Sequence, residues 1–264
     1  MKFLQRLLDR SALTAEGERP RLRASTDPAV VYAVGDVHGC LDLLEQLEGM
    51  ILADAASYAG EKWLVMLGDY VDRGPRSAGV IEHLLAPPPD GFTRLALAGN
   101  HEAMMLDFLA APSERHHWLG LGGTQTLQSY GLTAGALRGL SGKGARAILE
   151  SSIPSAHRRF IEAAPSVIET PTTIFVHAGL RPGLPLEQQS EDDLLWYRPD
   201  AATDYTAFGK VVVHGHTPLP TPLLLPSHIN IDTGAFATAR LTAVRLVVGH
   251  PPVTLTATGA YRHS

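Results

Sequence analysis

Cysteine is nearly absent from this chain. The single thiol among 264 residues, Cys40, excludes an internal disulfide framework and a cysteine-rich zinc site, and it fits a reducing compartment. No run of basic residues occurs either. Twenty-two Lys+Arg stand against 27 Asp+Glu for a net charge of −5, so the footprint of a nucleic-acid or anionic-membrane binder is missing. Long apolar runs are also lacking, and none approaches the roughly 20 residues that a bilayer-spanning helix needs. At the N-terminus, Lys2, Arg6, Asp9 and Arg10 interrupt the apolar residues. That stretch is therefore unlike a signal peptide and predicts a short amphipathic helix. The expectation is a cytoplasmic protein with neither nucleic acid nor membrane as partner.

What is present suffices for a full core: 45% of residues are hydrophobic and 19% charged, so one compact catalytic domain is expected. Residues 1–28 read as an N-terminal arm, with Gly17, Pro20, Pro28 and many charged side chains between positions 11 and 28. The domain then covers 29–264. Short apolar runs rich in Val, Ile and Leu predict buried strands at 29–34, 62–67, 94–98, 173–176, 210–213, 228–231 and 241–248. Between the first three lie helix-period stretches at 41–52 and 77–85, which makes a β-α-β-α-β succession. A mostly helical block at about 102–164 follows, broken at Gly122-Gly123, before strands resume. The pattern predicts an α/β (α+β) fold: two packed sheets flanked by helices, with the helical block as a cap.

Polar residues gather where the strands end. Gly35-Asp36-Val37-His38-Gly39 follows the first strand, Gly68-Asp69-Tyr70-Val71-Asp72-Arg73-Gly74 the second, and Gly99-Asn100-His101-Glu102 the third. Two later strands end in His177-Ala178-Gly179 and His214-Gly215-His216-Thr217. Ligands of open α/β sheets bind outside the carboxyl ends of the strands, so five successive segments deliver these side chains to one rim. Any one Asp could cap a helix and any one His could be packed in a loop. Capping does not require the whole set. Carboxylates and imidazoles without thiolate suit a pair of manganese, iron or zinc ions, with one carboxylate able to bridge them.

These blocks resemble those of the phosphoprotein phosphatase (PPP) family of metallophosphoesterases, and most nearly its bacterial serine/threonine phosphatase-like branch and the related bis-nucleoside tetraphosphate hydrolases. The resemblance runs from about Val30 to Val248. It implies a four-layer metallophosphoesterase fold, two mixed β-sheets packed as a sandwich between helices. It also implies two divalent metal ions, manganese foremost, with Asp36 and His38 on one, Asn100, His177 and His216 on the other, and Asp69 bridging. Arg73 matches the family's phosphate-clamping arginine. Arg198, in Leu194-Leu195-Trp196-Tyr197-Arg198, resembles the second clamp. His101 is implied as the general acid, with Asp72 holding its imidazole.

The chemistry agrees with those roles. A phosphomonoester dianion repels hydroxide, and two cations lower the pKa of a shared water to about 7 while withdrawing charge from the phosphoryl oxygens. An arginine fork matches phosphate bidentately where lysine cannot. The leaving oxygen needs a proton, which an imidazole backed by a carboxylate can give. No serine or cysteine nucleophile is implied, so attack falls to a metal-bound hydroxide. His214 reads as packed behind the site, Cys40 as an inert thiol, and Asp232-Thr233-Gly234 as a turn closing the sheet. Gly122-Gly123-Thr124 is expected to shape access. Hydrolysis of phosphoserine or phosphothreonine in proteins, with phosphotyrosine in reach, is the leading expectation. Hydrolysis of diadenosine tetraphosphate or a related nucleotide is the alternative, and a small phosphoester or a phosphorylated protein is the implied partner. A binding module without catalysis is disfavoured by the complete residue set.

Overall fold

The computed structural model describes residues 8–9, 18–133 and 135–259. Its strands are β1 (Leu8–Asp9), β2 (Arg21–Ala24), β3 (Val30–Val34), β4 (Lys62–Met66), β5 (Phe92–Ala96), β6 (Val167–Glu169), β7 (Thr173–Val176), β8 (Val211–His214), β9 (Leu223–Leu224), β10 (His228–Asn230), β11 (Arg240–Leu246) and β12 (Val253–Thr258). The α-helices are α1 (Leu41–Ala55), α2 (Ser77–Leu85), α3 (Asn100–Ala110), α4 (Thr124–Ser129), α5 (Gly142–Ser152), α6 (Ser155–Ala163), α7 (Glu191–Trp196) and α8 (Ala235–Thr238). No helix among the described residues is long and apolar enough to cross a membrane.

Two mixed sheets form. One has the order β1-β2-β6-β7-β8-β10-β9 and the other β12-β11-β3-β4-β5. Within the second, β3, β4 and β5 run parallel, in register from Val30↔Lys62 and Lys62↔Phe92. Alternate residues of a strand face opposite sides, and β3 shows how the layers follow from that. Val30, Tyr32 and Val34 pack on the helical side with Leu44, Leu47 and Ile51 of α1. Val31 and Ala33 join Val65, Leu67, Phe175, Val213 and Ile229 in the apolar seam between the sheets. Ile174, Val176 and Val212 face the far side, covered by Leu180, Leu186, Leu194 and Tyr205. Both sheets are thus buried on both faces over their centres, which is why their strands read as unbroken apolar runs.

The strand expectations correspond to β3, β4, β5, β7, β8, β10 and β11, shifted by one or two residues at their ends. Residues 19–24 differ from the expected arm. Arg19 and Arg21 are buried, and β2 runs parallel to β6 inside the first sheet. The charged composition misled because both guanidiniums are satisfied internally. Arg21 donates to the carbonyls of Leu186 (2.8 Å) and Gln189 (2.6 Å), and Arg19 to that of Ile161 (2.7 Å). Hydrogen-bonded buried cations of this kind are tolerated where unpaired ones are not. The amphipathic helix expected at the N-terminus falls mostly outside the described residues, although residues 8 and 9 form β1 against β2.

Helices α3 to α6 fill the expected capping block, with a turn at Leu119–Gly123 between α3 and α4. Gly122 in that turn has φ +119°, and a Cβ there would come within 2.9 Å of the Asp72 Cβ, so the turn lies directly on the loop after β4.

Candidate metal centre

The loops after β3, β4 and β5 are laced together by their own backbones. Val37 and His38 donate to the Asp69 carbonyl at 3.1 and 2.8 Å, and Gly39 donates to that of Tyr70 at 2.9 Å. Glu102, at the start of α3, is fully buried and accepts from the backbone amides of Gly99, Asp69, Tyr70 and Val71 at 2.7–3.1 Å. Burial, together with the Asp69 charge, pushes its carboxyl up to about 7 against the pull of those amides. Gly68 has φ +101°, and a Cβ there would sit 2.7 Å from the Gly99 nitrogen, so only glycine lets these two loops meet. Non-glycine residues with positive φ are His38, Asp69, Asp72, Arg73, His216 and Ala239. All but Ala239 are site residues, so backbone strain of order 1 kcal/mol per residue is concentrated here and held by the lacing.

The inward side chains oppose lone pair to lone pair. The His38 Nδ1 lies 2.8 Å from the Val71 carbonyl, and the His177 Nδ1 lies 2.8 Å from that of Leu67. A carbonyl only accepts, so each Nδ1 carries the proton and each Nε2 presents a lone pair. Those Nε2 atoms face the two oxygens of Asp69, His38 at 3.5 Å from Oδ2 and His177 at 3.4 Å from Oδ1. The Asn100 Oδ1 lies 3.0 Å from the His177 Nε2 and 3.0 Å from the His216 Nδ1, and the His216 Nε2 is buried without a hydrogen-bond partner. Burial keeps these imidazoles neutral, lowering His38 to about 3 and His216 to about 2, with His177 lowered as well. Two groups of potential ligands result, His38–Asp69–His101 and Asp69–His177–His216, and Asp69 belongs to both. Acceptors turned toward one another in a buried space fit cations, and a carboxylate common to both groups fits two of them.

Asp36 stands slightly apart. Its carboxylate accepts from the His216 amide at 3.0 and 3.2 Å and lies beside Asp232. Burial, Asp232 and Asp69 push the Asp36 carboxyl well above the carboxylate range, and burial pushes Asp232 up to about 6. Three crowded buried carboxylates are stabilised by positive charge placed among them. Asp232 therefore lines the site as well as ending β10 in the expected turn, where its Oδ1 accepts from the Gly234 amide at 2.8 Å.

Asp72, His101 and Arg73 form a second cluster beside the first. The His101 Nδ1 is 2.6 Å from Asp72 Oδ2, and its Nε2 is 3.1 Å from Arg73 Nη2. Burial opposes charge on His101, yet Asp69 and Asp72 raise its imidazole above the usual value. The cap closes around the carboxylate: Trp118 Nε1 donates to Asp72 Oδ2 at 2.7 Å and Thr126 Oγ1 to Oδ1 at 2.6 Å. The Gly122-Gly123-Thr124 turn thus does more than shape access, because the residues on either side of it hold Asp72. Arg198 is exposed, and its charge contributes to lowering His177 and His216. His214 turns away from the cluster, its Nε2 2.8 Å from the His228 Nε2. Burial pushes the Cys40 thiol up to about 11, which leaves it a poor nucleophile.

Glu102, Trp118, Thr126, Asp232 and Phe236, whose ring centroid lies 5.4 Å from that of His38, are the site residues that the sequence alone assigned no part in it. Glu102 had a signal in its place three residues after Gly99 at a helix start. Trp118 and Thr126 had none, since they reach Asp72 across 46 and 54 residues.

A two-sheet sandwich that collects neutral histidines around a shared aspartate at its strand ends, with arginines at the rim, is the framework of a metal-dependent phosphoester hydrolase. The chain belongs to the calcineurin-like phosphoesterases, whose family model matches residues 29–252, and members of this family use a divalent metal pair. It is 28% identical over 235 residues to the bis(5'-nucleosyl)-tetraphosphatase PrpE (asymmetrical) of Bacillus subtilis, covering 80% of this chain and 88% of that protein. It is 37% identical to the serine/threonine-protein phosphatase 1 of Salmonella typhimurium, over 93 residues that make up 35% of this chain and 38% of that one. A solved structure provisionally assigned as a diadenosine tetraphosphatase superposes with a TM-score of 0.60 at 23% identity, covering 90% of this chain and 98% of that chain. The likeness in sequence to that serine/threonine phosphatase thus spans about a third of the chain, and the likeness to PrpE four fifths.

Metal analysis of protein equilibrated with manganese and freed of excess should find two ions per chain. Asp69→Asn should lower binding of both together, because the one carboxylate serves both groups. Loss of a single ion with the other retained at full affinity would contradict the shared role.

Proposed function

We propose that this chain hydrolyses bis(5'-nucleosyl) tetraphosphates asymmetrically, releasing a nucleoside monophosphate and a nucleoside triphosphate. The observation that carries this is the extent of the PrpE match. An alignment over 80% of the chain takes in the capping helices and the loops around the site, whereas the match to serine/threonine-protein phosphatase 1 spans 35%. The catalytic domain on this reading is one unit that takes in β2 as well as residues from 29 onward, with the cap at about 102–164 folded onto its strand ends.

Asp36 and His38 would hold one divalent cation, Asn100, His177 and His216 the other, and Asp69 both. Bound there, the pair would supply charge neutralisation at the phosphoryl group and a water of lowered pKa. The chain's own residues do the rest. Arg73 offers a planar fork to the phosphoryl oxygens, and Arg198, whose charge reaches His177 and His216, would offer a second. Asp72 accepts the His101 Nδ1–H and so fixes the imidazole with Nε2 toward the site. Arg73 only donates, so in its present contact with Nε2 it stands where the proton of a general acid would be. A phosphate that draws the guanidinium onto itself frees Nε2 to carry a proton to the leaving oxygen.

That division of labour predicts leaving-group dependence. His101→Gln should cost about 10²- to 10⁴-fold in kcat on an alkyl phosphate such as phosphoserine, whose alkoxide needs a proton. The loss on p-nitrophenyl phosphate and on the tetraphosphate should be much smaller, because their leaving oxygens are weakly basic. Equal losses on all three would reassign His101 to holding phosphate or metal.

The substrate reading is tested by kcat/KM of the manganese-loaded enzyme. Bis(5'-adenosyl) tetraphosphate should exceed a phosphoserine peptide at least about tenfold and give AMP with ATP. Preference for the peptide would restore the protein-phosphatase reading, and two ADP as products would contradict asymmetrical cleavage.

A further inference from the structure

Aromatic residues are sparse at 6% of the chain, and among the described residues the two most exposed are Trp196 at 41% and Phe236 at 38%. A single exposed aromatic is unremarkable, but two on one rim are a specific placement. Trp196 closes α7 and packs edge-on with His216, ring centroids 6.4 Å apart at 84°. Phe236 lies in α8 and meets His38 in the same manner, at 5.4 Å and 86°. His216 and His38 belong to different ligand groups of the metal centre, so each ring adjoins a different group. The Phe236 ring also has an arginine against it, and a second arginine is near Trp196 in sequence. The Arg73 Cζ sits 4.6 Å from the Phe236 centroid, and Arg198 follows Trp196 by two residues.

Exposed rings against both ligand groups, with Arg73 beside one of them, match a ligand that alternates anionic and flat aromatic parts. We propose that Trp196 and Phe236 are stacking platforms for the nucleobases, one beside each ligand group. This rests on the dinucleotide reading and adds to it the residues that recognise the nucleoside ends. Every base presents a π face, so the platforms hold purine and pyrimidine nucleotides without reading their edges, whereas a phosphoserine offers no ring to stack. The rim therefore separates dinucleotide from phosphoprotein substrates through the bases, while metals and arginines act on the phosphate that both share.

The tryptophans make a direct test available, because Trp63 and Trp118 are buried and only Trp196 is exposed. Titrating the manganese-loaded enzyme with ADP should quench the exposed indole emission, and inorganic tripolyphosphate should not. Trp196→Ala should raise KM for bis(5'-adenosyl) tetraphosphate about tenfold, the scale of one lost base–aromatic stack. Its loss in kcat/KM should exceed by a similar factor the loss on p-nitrophenyl phosphate, with Phe236→Ala behaving alike and Trp196→Phe restoring most of the affinity. Equal losses on both substrates, or equal quenching by ADP and tripolyphosphate, would overturn the platforms. ADP-selective quenching without turnover of the dinucleotide would sink the proposed activity and leave the platforms standing. Turnover without any selectivity would do the reverse.

Discussion

The carboxylate of Glu102 is the contact on which the centre depends. Four backbone amides from two loops converge on its two oxygens, two on each, and so tie the turn after β4 to the turn after β5. A buried carboxylate so fully hydrogen-bonded is a rigid joint, since loosening it would strand several N–H groups away from water. The joint acts on backbone that needs holding. Asp69, Asp72 and Arg73 all have positive φ, a conformation their side chains disfavour, and it aims Asp69 between His38 and His177 while presenting Arg73 at the rim. Strain of this sort persists only where surrounding contacts over-determine it.

The electrostatics follow from that framework. Two backbone carbonyls, of Val71 and Leu67, take up the Nδ1 protons of His38 and His177, so both imidazoles are oriented and neutral before any cation arrives. The acidic side is over-supplied instead, with Asp36, Asp69 and Asp232 buried together. The centre is prepared for positive charge and is destabilised without it. A few ångströms away the balance reverses: Asp72 is saturated by His101, Trp118 and Thr126, and its carboxylate steadies one imidazole next to an arginine. The ligand groups and the Asp72–Arg73 pair thus adjoin through His101, and Trp118 and Thr126 of the cap reach Asp72.

Much of this could be read from the sequence, for reasons that also explain what could not. Strands buried on both faces are apolar throughout, which made β3, β4 and β5 visible, and the polar residues immediately after them marked the rim. Asp69, His38, His177 and Asn100 were visible because their loops are short and the strand ends fix where they go. Strand β2 was hidden by Arg21 and Arg23, whose charge reads as solvated until the carbonyls that receive Arg21 are seen. Three-residue β6 and two-residue β9 are too short to carry a period. Trp118 and Thr126 belong to the centre only through tertiary contact, and Phe236 only through its place beside Arg73 and His38. Substrate choice was the least legible feature. The motif blocks serve phosphoproteins and dinucleotides alike, so it took the breadth of the PrpE match to favour the dinucleotide.

On this structure, the loop geometry that Glu102 fixes imposes the cation affinity of the centre. Glu102→Gln tests it closely, because the side chain keeps its shape while one oxygen that takes two amide donors becomes an NH₂ group that must face them. Calorimetric titration of the variant with manganese should show affinity at both sites falling about 10- to 100-fold, with the far-UV circular dichroism of the folded protein retained. Wild-type affinity at both sites in a folded variant would contradict the claim and leave the ligating side chains to hold the cations by themselves.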